Sequence, residues 1–270
     1  MTAERTHEML RAADVRLHLP QALRCAELCC LEEVDSTNTR LKEAALEGAA
    51  APMVVIAHRQ TAGRGRRGRN FLSPEGKGLY LSVLLRPGCE AGRLMCVTGM
   101  AAVAVCRAVE RAGGARPRIK WVNDLVLGNK KFCGILAETV MTESGPALVL
   151  GVGINVYRDE FTPEVAALAT SLEAEGFSVS RAALAAAVME ELLALEGALA
   201  GDLSGWVSAY RARCVNIGRD VRLMWDEGCR RARCLDVDGQ FGLVVRYADG
   251  GEATVRTGEV SVRGLYGYVE

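Results

Sequence analysis

The spacing of apolar positions along the chain alternates between a helical and a strand period. Residues 1–30 read as one or two short helices leading into a strand. The stretch "DSTNTRLKEAALEGAA" opens on side-chain oxygens suited to capping, then places Leu41, Ala44 and Ala45 on one helical face. "MVVIAH" and "LYLSVLL" read as buried strands flanking an Arg/Gly loop. "GRLMCVTGMAAVAVCRAVERAGG" predicts a long buried helix stopped by Gly113 and Gly114. Three strand-like segments follow, "PRIKWVNDLVL", "KFCGILAETV" and "ALVLGVGINV", then an Ala/Leu helix and another over 203–213. From Ile217 the texture changes to short strands divided by "DEG", "DG" and "ADGG" turns. The pattern predicts an α+β protein, a mixed β-sheet with helices packed on one face. Its expected divisions are a short leader (1–30), a main domain (31–215) and a small all-β domain (216–270).

Composition narrows the classes. Acidic and basic residues balance at 33 each, so electrostatic recognition has to be local. Ten cysteines form no C-x-x-C pair or zinc-finger spacing. Cys25, Cys29 and Cys30 with His18 are the nearest thing to a cluster and read as small hydrophobes rather than metal ligands. This usage suits a reducing cytosol, and the polar start "MTAERTHEML" does not resemble a signal peptide. The most apolar window, residues 94–109, is interrupted by Thr98, Gly99 and Arg107 and is too short to span a bilayer. A cytoplasmic protein without a membrane partner is expected.

Within "TAGRGRRGRN", Gly63, Gly65 and Gly68 match the dinucleotide pattern G-x-G-x-x-G. That pattern works only when a helix follows and its N-terminus receives the pyrophosphate. Here Pro74, Gly76 and Gly78 exclude the helix and a strand comes next. What survives is a flexible loop bearing Arg59, Arg64, Arg66, Arg67 and Arg69. Guanidinium groups grip phosphate oxygens bidentately, and glycine lets the backbone close over a ligand. A solvated basic loop, a minor-groove contact and a mobile phosphate clamp all fit; its position between two core strands favours the clamp.

The chain has 28 arginines and five lysines, and three of the five, Lys120, Lys130 and Lys131, fall between residues 120 and 131. Lys120, Asn123 and Asp124 are expected to close one strand, and Lys130 and Lys131 to open the next across a "GN" turn. A lysine there offers a compact charge to a carboxylate or phosphate, although a hairpin tip with solvated lysines is also consistent. Gly134, Gly151 and Gly153 would let a flat ligand approach the sheet, with Asn155 at the strand end. Ser36, Thr37 and Asn38 read either as an ordinary helix cap or as donors to a buried polar head group.

Taken together, "EVDSTN", "QTAGRGRRGRNFLSPEGKGLYLS", "KWVNDL", "KKFCGILAE", "GVGINV" and "GEVSVRGLYGY" resemble the biotin–protein ligases in order and spacing, from Glu33 nearly to the end. The resemblance implies the biotin ligase/class II aminoacyl-tRNA synthetase type of sheet over 31–215, followed by an SH3-like barrel. It implies an ATP-dependent enzyme that forms biotinyl-5′-AMP and passes biotin to a lysine of a biotin carboxyl carrier protein, part of acetyl-CoA carboxylase or a related carboxylase. Ser36, Thr37, Asn38 and Gln60 would line the biotin end, with Gly134 beneath the ligand. Arg64, Gly65 and Arg66 would close over biotin and the adenylate. Lys131 would contact the carboxylate and the mixed anhydride. Asp124, with Lys120, Asn123 and Asn155, would support the reaction centre and the adenine side. Mg²⁺ would arrive on ATP, with no protein metal site.

Two departures stand out: Val122 where the family commonly has proline, and Phe71, an apolar plug without an indole N–H, where tryptophan is common. Only about 34 residues precede the "STN" segment. That leaves no room for a winged helix, so specific DNA binding is not expected. A homodimer through sheet edges is compatible with the resemblance. A lipoate or octanoyl–protein ligase of the same superfold, and a nucleic-acid-binding module using the Arg/Gly loop, remain the alternatives.

Overall fold

The computed structural model describes residues 8–158, 161–225, 228–256 and 261–264. In chain order the elements are α1 (Ala12–His18), β1 (Glu27–Val34), α2 (Thr37–Leu46), β2 (Met53–Gln60), β3 (Gly78–Leu85), α3 (Val97–Gly113), β4 (Arg118–Lys120), β5 (Asp124–Leu127), β6 (Lys130–Thr142) and β7 (Gly145–Asn155). They continue with α4 (Pro163–Ala166), α5 (Arg181–Leu193), α6 (Leu195–Ala198), α7 (Ser204–Arg213), β8 (Asp220–Trp225), β9 (Gly228–Val237), β10 (Leu243–Tyr247), β11 (Glu252–Val255) and β12 (Ser261–Gly264).

The first seven strands form one mixed sheet in the order β1-β2-β3-β7-β6-β5-β4, parallel only between β1 and β2. Side chains alternate across it, so each strand feeds two layers. Val54, Ile56, Leu79, Leu81 and Val83 face the core made with α3 and α5. Val55, Leu84, Ala147 and Val149 point the other way and meet Leu41 and Ala45 of α2. The one-face expectation therefore holds for α3 and α5, while α2 covers part of the opposite face.

Two expectations needed revision. "PRIKWVNDLVL" is two short strands broken by a turn at 121–123, because Asn123 bonds across to β6 instead of continuing β4. The apolar helical run is also longer than residues 94–109. It extends over Ala91–Gly113, long enough by length to cross a bilayer, but is mostly buried inside the fold. Gly114 ends it in the left-handed region, φ 70°.

The C-terminal sheet, β11-β10-β9-β8-β12, shares its core with the main sheet. Phe241 adopts φ 62° and lays its ring against Gly99 of α3, edge-on to Tyr210 at 5.3 Å between centroids. A side chain at Gly99 would overlap that ring. Gly99→Val should therefore destabilise the fold by about 1–3 kcal/mol, read as a lower urea midpoint. An unchanged midpoint would mean that the Phe241 ring moves aside at no cost.

Candidate active site

On the α2 side, two neighbouring strands, β7 and β6, carry three glycines close together. Register aligns Ser82, Gly151 and Leu136 in one row and Tyr80, Gly153 and Gly134 in the next. The space above these glycines is already used by the protein's own groups. A Cβ on Gly151 would overlap the Asn38 amide oxygen, one on Gly153 would come 2.5 Å from the Phe71 ring, and one on Gly134 3.0 Å from Lys131 Nζ. The glycines expected to admit a flat ligand thus first admit Asn38, Phe71 and Lys131.

A polar network runs through the start of α2. Ser36 is buried at the N-cap position, but its side chain makes no capping bond. The Thr37 backbone N–H donates to Gln60 Oε1 at 2.9 Å, and Gln60 Nε2 donates to Ser73 Oγ at 2.8 Å. Ser82 Oγ lies 2.7 Å from Thr37 Oγ1 and 2.6 Å from Asn38 Oδ1. Only the amide oxygen has no proton of its own, so the Ser82 proton belongs there. Asn38 Nδ2 donates to Glu138 Oε2 at 2.9 Å. Sequence reasoning missed Ser82 and Glu138. The signal for Ser82 is a lone polar residue inside an apolar strand run, on the face opposite the core.

The Arg/Gly loop folds back on itself as a finger. Gly65 N–H donates to Arg69 O at 2.7 Å and Phe71 N–H to Gly63 O at 2.8 Å, with Arg67 (φ 56°) and Gly68 (φ 70°) turning the tip. Its arginines have different fates. Arg59 lies outside the cleft, paired with Glu33 at 3.0 Å. Arg64 reaches Glu138 at 3.6 Å, and Arg67 donates to Met224 O at 3.3 Å. Arg66 Nη1 donates to Asn123 Oδ1 at 3.0 Å, while its Nη2 is buried with no partner among the described residues. Burial lowers the pKa of this guanidinium, partly offset by Asp124. A buried N–H with nothing to donate to is costly, so this atom calls for an acceptor in the cleft.

The lysine segment completes the site. Asp124 opens β5, rather than closing the strand before it, and pairs with Gly134. Its Oδ1 lies 2.6 Å from Lys131 Nζ. Strict alternation would put Lys131 and Gly134 on opposite faces, since they are three residues apart. A register shift opposite Leu125/Val126 resolves this: Phe132 and Cys133 both enter the core, and Lys131 turns to the cleft. Lys120 is buried at the cleft wall with Trp121. Lys130 donates instead to Ala166 O, and Asn155 to Thr170 O at 3.0 Å. Asn155, expected in the site, is not among the residues that line it.

Ser36, Thr37, Asn38, Gln60, Arg64, Gly65, Arg66 and Phe71 converge with Lys120, Asn123, Asp124, Lys131 and Gly134 on one cleft with a cavity volume of ≈ 140 Å³. It pairs a polar end at α2 with a cationic end at Lys131 and Arg66.

Fold and site together define a protein ligase of the biotin and lipoate type: residues 30–155 match the Biotin/lipoate A/B protein ligase family. Over 249 residues the chain is 30% identical to the bifunctional ligase/repressor BirA of Bacillus spizizenii, covering 89% of this chain and 76% of that one. It is 33% identical over 230 residues to the biotin–[acetyl-CoA-carboxylase] ligase of Mycobacterium tuberculosis, covering 81% and 84%. Its structure matches the Aquifex aeolicus biotin protein ligase in complex with biotin and ATP with a TM-score of 0.77 at 28% identity, over 88% of this chain and 99% of that one. The chain belongs to the biotin–protein ligases.

Because the Asn38 amide is held by Ser82 and Glu138 where a side chain at residue 151 would sit, Gly151→Ala should break part of the network. A loss of about 1–3 kcal/mol in urea unfolding is expected. Full stability would mean that Asn38 is not fixed in place.

Proposed function

We propose that this ligase joins biotin to ATP, giving biotinyl-5′-AMP and pyrophosphate, and then transfers the biotinyl group to a lysine of a biotin carboxyl carrier protein. The observation that carries this reading is the pairing of Lys131 Nζ, held by Asp124, with the unpartnered Arg66 Nη2 over a glycine-floored cleft. A carboxylate oxygen attacking an α-phosphorus meets like charge. Two fixed cations at the point of attack lower that barrier in a site that needs no protein nucleophile. The new bond joins a biotin carboxylate oxygen to the α-phosphorus, and the bond to pyrophosphate breaks. In transfer, the acceptor amine attacks the carbonyl carbon, AMP leaves, and the amine loses a proton.

Asp124 holds Lys131 first, and in transfer it orients the incoming amine or takes its proton. Mg²⁺ would arrive with the triphosphate, held by phosphate oxygens and few protein groups. The Aquifex protein's biotin and ATP, and the Mycobacterium protein's carboxylase substrate, support the same ligands here. Ten free thiols, four of them buried or half-buried in the main sheet's strands and in α3 (Cys29, Cys30, Cys106 and Cys133), suit a reducing cytoplasm. The nucleic-acid reading is disfavoured because Arg64, Arg66 and Arg67 turn to protein partners.

Pyrophosphate release should require ATP, Mg²⁺ and biotin, and Lys131→Ala should lower kcat about 10²–10³-fold. Release with lipoate but not biotin would move the chain to the lipoate branch. Absence of release with either would overturn the proposal. Asp124→Asn should slow transfer from preformed biotinyl-5′-AMP by at least about 10²-fold; unchanged transfer would remove Asp124 from that step.

A further inference from the structure

Glu138 lies on β6 just outside the cleft and takes no part in the chemistry above. Its carboxylate nevertheless joins three elements. Oε1 receives Lys42 Nζ of α2 at 2.8 Å and lies 3.6 Å from Arg64 Nη2 of the finger, while Oε2 accepts from Asn38 Nδ2 at 2.9 Å. Burial alone would raise its pKa. The bonds from Lys42 and Asn38, with the two nearby cations, outweigh burial and hold it below the ordinary carboxylate range.

Arg64 sits at the root of the finger, in an isolated bridge with Asn70, and half of its side chain is exposed. Glu138 is the acidic group it reaches. On the other side, Asn38 cannot turn its amide without losing Glu138 from Nδ2 and Ser82 from Oδ1. Through Ser82, Thr37 and Gln60 the chain of bonds continues to Ser73, where the finger ends. The finger is thus tied to one network at both ends, by charge at Arg64 and by neutral hydrogen bonds at Ser73.

We propose that Glu138 is a positioning residue that couples closure of the Arg/Gly finger to the polar network beneath the ligand, holding Arg64 and the Asn38 amide with one carboxylate. Lys42 competes with Arg64 for the same oxygen and limits how tightly the finger is held. Two directions follow. Removing the charge of Glu138 frees the finger while leaving an acceptor for Asn38. Removing Lys42 tightens it.

The test is limited trypsin cleavage within residues 64–69 of the unligated full chain, with a free peptide of residues 60–73 as rate reference. Glu138→Gln should be cut at least about threefold faster than wild type, and Lys42→Met more slowly. Salt should accelerate cutting of wild type, because a half-exposed pair is screened, and have little effect on Glu138→Gln. In pyrophosphate release, Glu138→Gln should raise KM for biotin about fivefold or more with kcat within twofold. Equal cutting of Glu138→Gln and wild type, or faster cutting of both variants, would overturn the proposal. If Glu138→Gln fails to fold, the Lys42→Met rate and the wild-type salt series decide it. The coupling to biotin rests on the ligase reading. Loss of pyrophosphate release in all proteins, with the cleavage pattern intact, would count against that reading and leave the latch standing.

Discussion

A β-strand shows alternate residues to the two sides of its sheet, and β6 has to serve a core on one side and a cleft on the other. Regular alternation would put Lys131 among the core side chains, an expensive place for an ammonium group. The register shift at Phe132 and Cys133 places both of those residues in the core and gives the cleft both Lys131 and Gly134. Asp124 is opposite Gly134 in the ladder, and its carboxylate meets the ammonium across a position with no side chain. The rest of the site is arranged around this pair. The finger brings Arg66 to Asn123, one residue before Asp124, and Phe71 comes within cation–π reach of Lys131, 5.9 Å from its ring.

The glycine positions follow from the same geometry. Gly134, Gly151 and Gly153 lie on adjacent strands and the same face, so together they open a shallow depression without breaking the ladders. Weakening the sheet at three neighbouring points has a conformational cost. It is offset by the hydrogen-bonded start of α2, which seats Asn38 on Gly151 and packs Leu41 and Ala45 beside the depression. The stability of the sheet and the shape of the cleft therefore depend on the same contacts.

Much of this was legible in the sequence because period and punctuation carry it. The strands around the Arg/Gly loop, the long helix ended by Gly114 and the turn-rich C-terminal strands all follow local rules. Most of the residues that line the cleft are legible in the same way, since Arg66, Asp124, Lys131 and the Ser36–Asn38 segment cluster in short motifs. What escaped depends on pairing between distant residues. The break at Trp121–Asn123 reflects a bond from Asn123 to Ile135, and Glu138 matters through Lys42, Asn38 and Arg64, none of which is near it in the chain. Asn155 does not line the cleft for the converse reason: its strand ends near it, but its side chain donates to Thr170 O in a later loop.

The two sheets are also mechanically joined at the site. β4 and β5 are only three and four residues long, too short to fix the turn between them by their own ladder. The turn is held from behind. Trp121 N–H donates to Asn216 Oδ1 at 2.7 Å, its indole N–H donates to Phe241 O at 2.8 Å, and Val122 O accepts from Tyr210 Oη at 3.2 Å. Each bond is buried, where an unmade partner is costly, so the three act together to fix the backbone. The face turned to the cleft then presents Lys120 and Asn123 beside Arg66. Helix α7, the segment before β8 and the β9–β10 turn thus supply the rigidity that a short hairpin lacks, and this wall of the cleft depends on residues 88 to 120 positions away as much as on its own sequence.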